Sequence, residues 1–211
     1  MSAIFRLDRT RNALFDARGR QFDAVQRIWQ ELSPAPGGED VDLIEAASWL
    51  QRDSGHPLRV PIGVIGPRAA TPAQLAAAEE LGRGLALMGF TVLCGGRQGV
   101  MEAVCKGAAH AGGTTIGMLP DADPSFANPH VSLIIATGIG EARNALIARA
   151  AFCLVAIGDS FGTLSEVALG RHFDKLVLGL EGASSVDGVV HVADVSAALR
   201  EIALVALAFA D

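Results

Sequence analysis

From residue 58 to about residue 207 the chain alternates short apolar runs with segments of helical period, and this alternation restricts the fold more than any other feature. The runs at 59–65, 90–94, 115–119, 131–136, 152–157 and 176–180 have the length and Val, Ile and Leu content of buried strands. Segments at 71–88, 100–111, 141–150, 163–171 and 195–207 read as helices. In the first of them Leu75, Ala78, Leu81, Leu85 and Met88 fall on one face. Strands buried on both faces and joined through helices run parallel, because a right-handed crossover lays each helix back on the sheet. The fold class is therefore α/β, a Rossmann-like doubly wound parallel sheet.

Residues 1–57 are more polar, hold both Trp29 and Trp49, and lack that alternation. The boundary is accordingly expected near residue 58, with an N-terminal appendage over 1–57 and the Rossmann-like domain over 58–211. Residues 4–7 and 12–16 predict two short strands of a β-hairpin, and Arg18-Gly19-Arg20 a turn. Phe22, Val25, Ile28, Trp29 and Leu32 recur at helical spacing, with Pro34-Ala-Pro-Gly-Gly38 as a stop. A second amphipathic helix is expected over 41–50. This hairpin-plus-helix appendage carries no constellation of chemical groups. Its short helices need something to pack on, either the main domain or another subunit.

The charge balance excludes some function classes. With 17 Lys+Arg against 23 Asp+Glu the net charge is −6, the wrong sign for a general nucleic-acid binder. Arg6, Asp8, Arg9 and Arg11 occupy positions where a signal peptide has its apolar core, and the longest uncharged runs are broken by Pro, Asn, His and Gly. A cytoplasmic protein without a membrane span is expected. Cys94, Cys105 and Cys153 lie in apolar stretches without ligand spacing and read as reduced core thiols, and the histidines show no metal-site spacing. No metal is expected.

In a doubly wound sheet ligands sit beyond the carboxyl ends of the strands, so the strand-to-helix loops are the places to search. After the run at 59–65, Gly66 and Arg68 could hold an anion, while Thr71, Pro72 and Gln74 form a capping box that explains the same loop without a ligand. After Cys94 come Gly95, Gly96, Arg97 and Gly99, where close backbone approach and a cation suit a phosphate. The dinucleotide and Walker patterns are both absent. After Ile157, the loop 158–163 offers Ser160, Gly162 and Thr163, and Thr163-x-x-Glu166 also fits a capping box. Glu166 could instead act as a general base or bind ribose hydroxyls. Gly158-Asp-Ser-Phe-Gly162 matches G-x-S-x-G, which makes Ser160 a candidate hydrolase nucleophile with Asp187 and His191 downstream; no oxyanion segment of the HGGG type accompanies it. Arg143, in the first turn of a helix, opposes the helix dipole, so either solvent or an anionic partner such as Glu141 or a ligand must compensate it.

Taken in order, Gly95-Gly-Arg-x-Gly-Val-Met-Glu-Ala-Val-x-x-Gly-Ala108, Gly117-x-Leu-Pro120, Arg143-Asn144 and Gly162-Thr-x-x-Glu166 resemble the Rossmann-like superfamily that includes the Lonely Guy phosphoribohydrolases. The resemblance is greatest to its branch of molybdenum cofactor carrier-like proteins, related to DprA/Smf, and covers residues from about 59 to about 180. For the hydrolases it implies cleavage of the N-glycosidic bond of nucleoside 5′-monophosphates, with Arg143 and Glu166 as the catalytic pair. Gly158, Asp159 and Ser160 stand where those enzymes carry Pro-Gly-Gly. For the carrier-like branch it implies a homo-oligomer, a dimer or tetramer, that holds a phosphorylated ligand without chemistry. The expectation is a binder of a molybdenum cofactor or nucleotide on Gly66, Arg68, Gly95, Gly96, Arg97, Gly99, Ser160, Gly162 and Thr163, with no cofactor required for activity.

Overall fold

The computed structural model describes residues 5–31 and 37–209. The chain forms two compact units, Met1–Leu58 with Leu199–Asp211, and Arg59–Ala198. The residues from Leu199 onward, expected to belong to the second domain, thus fall with the first unit.

In the first unit, β1 (Phe5–Asp8) pairs antiparallel with β2 (Ala13–Asp16), as the hairpin reading expects of residues 5–7 and 13–16; residue 4 lies outside the described residues. The turn at Gly19 is built around the buried carboxylate of Asp16, which accepts from Arg18 N, Arg20 N and Arg20 Nε at 3.0, 2.8 and 2.7 Å. The helix expected over 22–32 is absent among the described residues. Its place is taken by β3 (Gln21–Asp23) and β4 (Ile28–Gln30), and the proposed stop at residues 34–36 lies outside the described chain.

The reason is a coincidence of periods. Two turns of helix bring residues seven apart to one face, and so does a hairpin in which Phe22 stands opposite Trp29. The hairpin prevails because Asp23 accepts from Val25 N and Gln26 N, both at 2.9 Å, and Arg27 takes a left-handed φ of 57°. Val25, a supposed core position, is exposed. The rings of Phe22 and Trp29 meet at 5.0 Å between centroids, tilted by 45°, and Trp29 also stacks on Phe5 and meets Phe209 edge-on. A further strand, β5 (Glu39–Val41), completes a five-stranded sheet of order β4-β3-β2-β1-β5. Helix α1 (Leu43–Arg52) follows, opened by an Asp42–Glu45 capping box.

The second unit is the expected parallel sheet. Its strands are β6 (Ile62–Ile65), β7 (Val92–Cys94), β8 (Thr115–Leu119), β9 (Leu133–Ala136), β10 (Leu154–Ile157), β11 (Val177–Leu180) and β12 (Val190–His191), the last too short to show in the sequence. They are ordered β12-β11-β10-β6-β7-β8-β9, with every pair parallel. Helices α2 (Pro72–Met88), α3 (Val100–His110), α4 (Asn144–Ala150) and α5 (Phe161–His172) follow the predicted periods, as does α6 (Val195–Ala206), whose residues from Leu199 onward fall with the first unit. Helix α2 begins with the expected Thr71–Gln74 box and Pro72. Ile65, Leu93, Leu154, Ala156 and Val177 from the strands pack with Ile147, Ala148 and Val167 from α4 and α5. Cys94, Cys105 and Cys153 are buried free thiols. Among the described residues no helix is long and apolar enough to cross a membrane.

Candidate functional site

Strand order fixes where a crevice opens. The chain leaves β6 toward β7 on one side and β10 toward β11 on the other, so the loops after these adjacent strands diverge. Beyond their carboxyl ends lies a cavity of ≈ 420 Å³, lined by Gly66, Arg68, Met101, Glu141, Arg143, Asn144, Ser160, Gly162, Thr163 and Glu166. That volume suits a small ligand.

The loop after β10 supplies a helix N-terminus. Ser160 is extended (φ −166°, ψ 164°), and its Oγ accepts from Thr163 N at 3.1 Å and lies 2.8 Å from Thr163 Oγ1. Ser160 is therefore the cap of α5 and Thr163 its third residue, which corrects the Thr163–Glu166 capping box expected from sequence. The hydroxyl of Ser160 is engaged with Thr163, with no imidazole among its partners. The first turn of α5 leaves the amides of Phe161 and Gly162 without partners inside the helix. A side-chain carbon on Gly162 would meet nothing nearer than Ser160 Oγ, at 3.8 Å.

With the cap elsewhere, Glu166 is free to turn toward Arg143. Arg143 ends a 3-10 turn (Gly140–Arg143) ahead of α4, and its Nη1 donates to Glu166 Oε1 at 3.0 Å. Both residues are buried, at 4% and 6% exposure, so solvent does not compensate Arg143. Gly95 makes room for the guanidinium, since a Cβ there would lie 2.7 Å from Arg143 Nη2. Burial pushes the Glu166 carboxyl up to about 7, while Arg143 opposes the shift. At the rim, Arg68 Nη2 stands 3.6 Å from Glu141 Oε1, both well exposed. Among the described residues, two polar atoms of buried lining residues have no partner, Arg143 Nε and Asn144 Oδ1.

Seven of the expected residues thus converge: Gly66, Arg68, Arg143, Ser160, Gly162, Thr163 and Glu166. Gly95, Gly96, Arg97 and Gly99 are outside the lining. Gly96 (φ 73°) would place a Cβ 3.0 Å from the Gly117 Cα, and Gly99 (φ 72°) would meet the carbonyls of Pro67 and Arg68. Arg97 Nη2 donates to Asp121. Met101, Glu141 and Asn144 also line the site; Glu141 is expected only as a partner of Arg143, Asn144 only as part of the Arg143-Asn144 motif, and Met101 not at all as a site residue. Asn144 follows Arg143 in the chain, a signal that sequence reasoning could have used, whereas Met101 resembles any apolar helix position. Among the described residues no group of three His, Cys, Asp or Glu side chains could hold a metal ion.

Known proteins bear out the architecture. The molybdenum cofactor binding protein of Rippkaea orientalis superposes with a TM-score of 0.67 at 35% identity, covering 70% of this chain and 98% of its own. The molybdenum cofactor carrier protein of Chlamydomonas reinhardtii gives 0.65 at 40% identity, over 71% and 99%. DNA processing protein A of Streptococcus pneumoniae, at 18% identity and 0.55 over 67% and 61%, shares the fold alone. A protein of Archaeoglobus fulgidus is 34% identical over 128 residues, 61% of this chain and 84% of its own. Residues 59–206, from the start of the parallel-sheet unit through α6, match the SLOG cluster4 family model, and the chain belongs to that family.

Proposed function

We propose that this protein is a carrier that binds a phosphorylated ligand of the molybdenum cofactor type in the cavity beyond β6 and β10. The observation that carries the reading is the buried Arg143, which faces the same cavity as the N-terminus of α5. One supplies a fixed positive charge; the other supplies N–H donors and the positive end of a helix dipole. The two solved relatives at 35% and 40% identity, a molybdenum cofactor binding protein and a molybdenum cofactor carrier protein, support the ligand class. No group in the cavity needs to react with such a ligand, and holding it away from water is sufficient. We also propose that copies of the chain associate. The edge strand β9 exposes Leu133, Ile134 and Ile135 consecutively, an apolar unpaired edge of the kind proteins cover.

The test is to express the protein in cells that make the cofactor and measure what it retains. Molybdenum by plasma mass spectrometry and the fluorescent oxidation product of the pterin should both co-purify with the wild type. Both should be lost from Arg143→Met. Wild-type protein that retains neither would sink the carrier reading.

A second reading rests on the Arg143–Glu166 pair. A carboxyl held near 7 beside a guanidinium is suited to acid–base work in N-glycosidic bond cleavage of a nucleoside 5′-monophosphate. Release of free base from AMP by the wild type, abolished in Glu166→Gln, would establish it.

A further inference from the structure

Asn144 begins α4 beside the Arg143–Glu166 pair, is 5% exposed and lines the cavity. A chain of hydrogen bonds fixes its amide. Ser165 Oγ donates to the Gly162 carbonyl at 2.7 Å, so its lone pairs are left to accept from Asn144 Nδ2 at 2.8 Å. The amide is therefore held with its nitrogen toward α5, and Oδ1 is left as an acceptor with no partner among the described residues. Next to it in the chain, Arg143 Nε is a buried donor with no partner either. A buried polar atom left unpaired is costly, and two of them on adjacent residues that line one cavity point to a ligand that supplies their partners.

We infer that Asn144 determines ligand specificity, reading through Oδ1 a hydrogen-bond donor on the neutral part of a phosphorylated ligand whose neighbouring acceptor meets Arg143 Nε. The inference rests on the proposal that the cavity binds a phosphorylated ligand, and it adds what the remainder of that ligand must offer. An N–H beside a carbonyl on a pterin ring has this chemistry, and so has a sugar hydroxyl. A bare acceptor anion does not. Discrimination of this kind can be large, because a ligand lacking the donor leaves Oδ1 desolvated and unpaired.

Three probes separate the cases by titration calorimetry at pH 7: sulfate, a pterin phosphate monoester, and ribose 5-phosphate. Sulfate has only acceptors. Asn144→Leu, similar in size but without hydrogen-bonding groups, is expected to weaken the donor-bearing probe that the wild type binds by tenfold or more, and to leave sulfate within twofold. Ser165→Ala, outside the lining, releases the amide at the cost of one bond to the Gly162 carbonyl, so it should produce a smaller loss of the same selectivity. It also keeps the test open if Asn144→Leu does not fold.

Loss with the pterin ester supports both the inference and the carrier reading. Loss with ribose 5-phosphate, when the pterin ester does not bind the wild type, keeps the role of Asn144 and removes the carrier reading. If the substitutions weaken sulfate as much as the donor-bearing probes, or change none of them, Asn144 is structural and the inference falls.

Discussion

Residues 95–99 after β7 and residues 158–163 after β10 are both glycine-rich turns between a buried strand and a helix, and in sequence both are candidates for a phosphate, 95–99 the more so for its three glycines and Arg97. In the first, backbone approaches backbone: Gly96 lies against Gly117, and Gly99 lies under the carbonyls of Pro67 and Arg68. Asn128 Nδ2 donates to the carbonyls of Gly96 and Arg97 at 3.1 and 3.0 Å, tying the turn to the segment after β8. In the second, Gly158 is packed against Gln74, but a Cβ on Gly162 would meet only Ser160 Oγ, at 3.8 Å, Phe161 is 94% exposed, and the first turn of α5 lines the cavity. Glycine thus reports that something comes close to the backbone. It does not say whether that is a ligand or another part of the same chain.

The largest effect should come from the packed turn. In Gly99→Val a β-branched residue must adopt a left-handed φ of 72° with two carbonyls in its way, which should cost about 3 kcal/mol or more. Chemical denaturation measures this. A variant as stable as the wild type that fails to bind sulfate would make 95–99 a ligand loop and erase the contrast.

Next in size is the pH dependence centred on Glu166, one turn beyond the open loop. Its carboxyl rises from 4.5 to about 7 on folding, so the folded state holds the proton more tightly. The associated stability is fully present below pH 4.5 and is lost as pH rises through 7, on the order of 3 kcal/mol. Glu166→Gln should flatten this slope between pH 5 and 8. Above pH 7 the ionised carboxylate also offsets Arg143, so sulfate should bind the wild type more weakly at pH 8 than at pH 6. Denaturation and calorimetry at both pH values check the pair; equal slopes in wild type and variant would refute the placement of the proton.

Gly162→Val tests the open loop directly. A side chain there meets no atom nearer than 3.8 Å, so stability should change by about 1 kcal/mol or less. Its methyls would crowd the first-turn amides, and sulfate affinity should fall roughly tenfold, as expected when N–H donors to an anion are covered. Unfolding instead of binding loss would mean that both glycine loops are packing devices.

How much of this was readable beforehand follows from how local each feature is. The buried strands were legible because parallel strands are apolar throughout, and α2 because Thr71, Pro72 and Gln74 set its start within four residues. Residues 22–32 misled because helix and hairpin both bring Phe22 and Trp29 together. The capping-box reading of Glu166 fails, since only the extended backbone of Ser160 decides which residue caps α5, while its pairing with Arg143 is expected only from the resemblance. The burial of Arg143 was beyond local reading. It depends on space left by Gly95, 48 positions away in the chain, and on a carboxylate 23 positions away.

The smallest expected effect is at Arg97, which sequence alone makes a phosphate ligand. Its Nη2 donates to Asp121, and its guanidinium carbon lies 5.4 Å from the Phe126 ring, so its charge already has a partner within the protein. The pair is partly exposed, with side-chain exposures of 18% and 26%, which places it near the weak end for ion pairs. Arg97→Gln keeps a donor for Asp121 and should cost about 1 kcal/mol or less. More telling is binding: because Arg97 is absent from the cavity lining, sulfate affinity should stay within twofold of the wild type. Long-range attraction from one guanidinium balanced by a carboxylate is slight and falls further with salt, so the measurement belongs at about 0.1 M ionic strength, where screening acts over about 10 Å. A tenfold loss in a folded Arg97→Gln would mean that Arg97 leaves Asp121 for the anion, and the two loops would then close on one ligand from both sides.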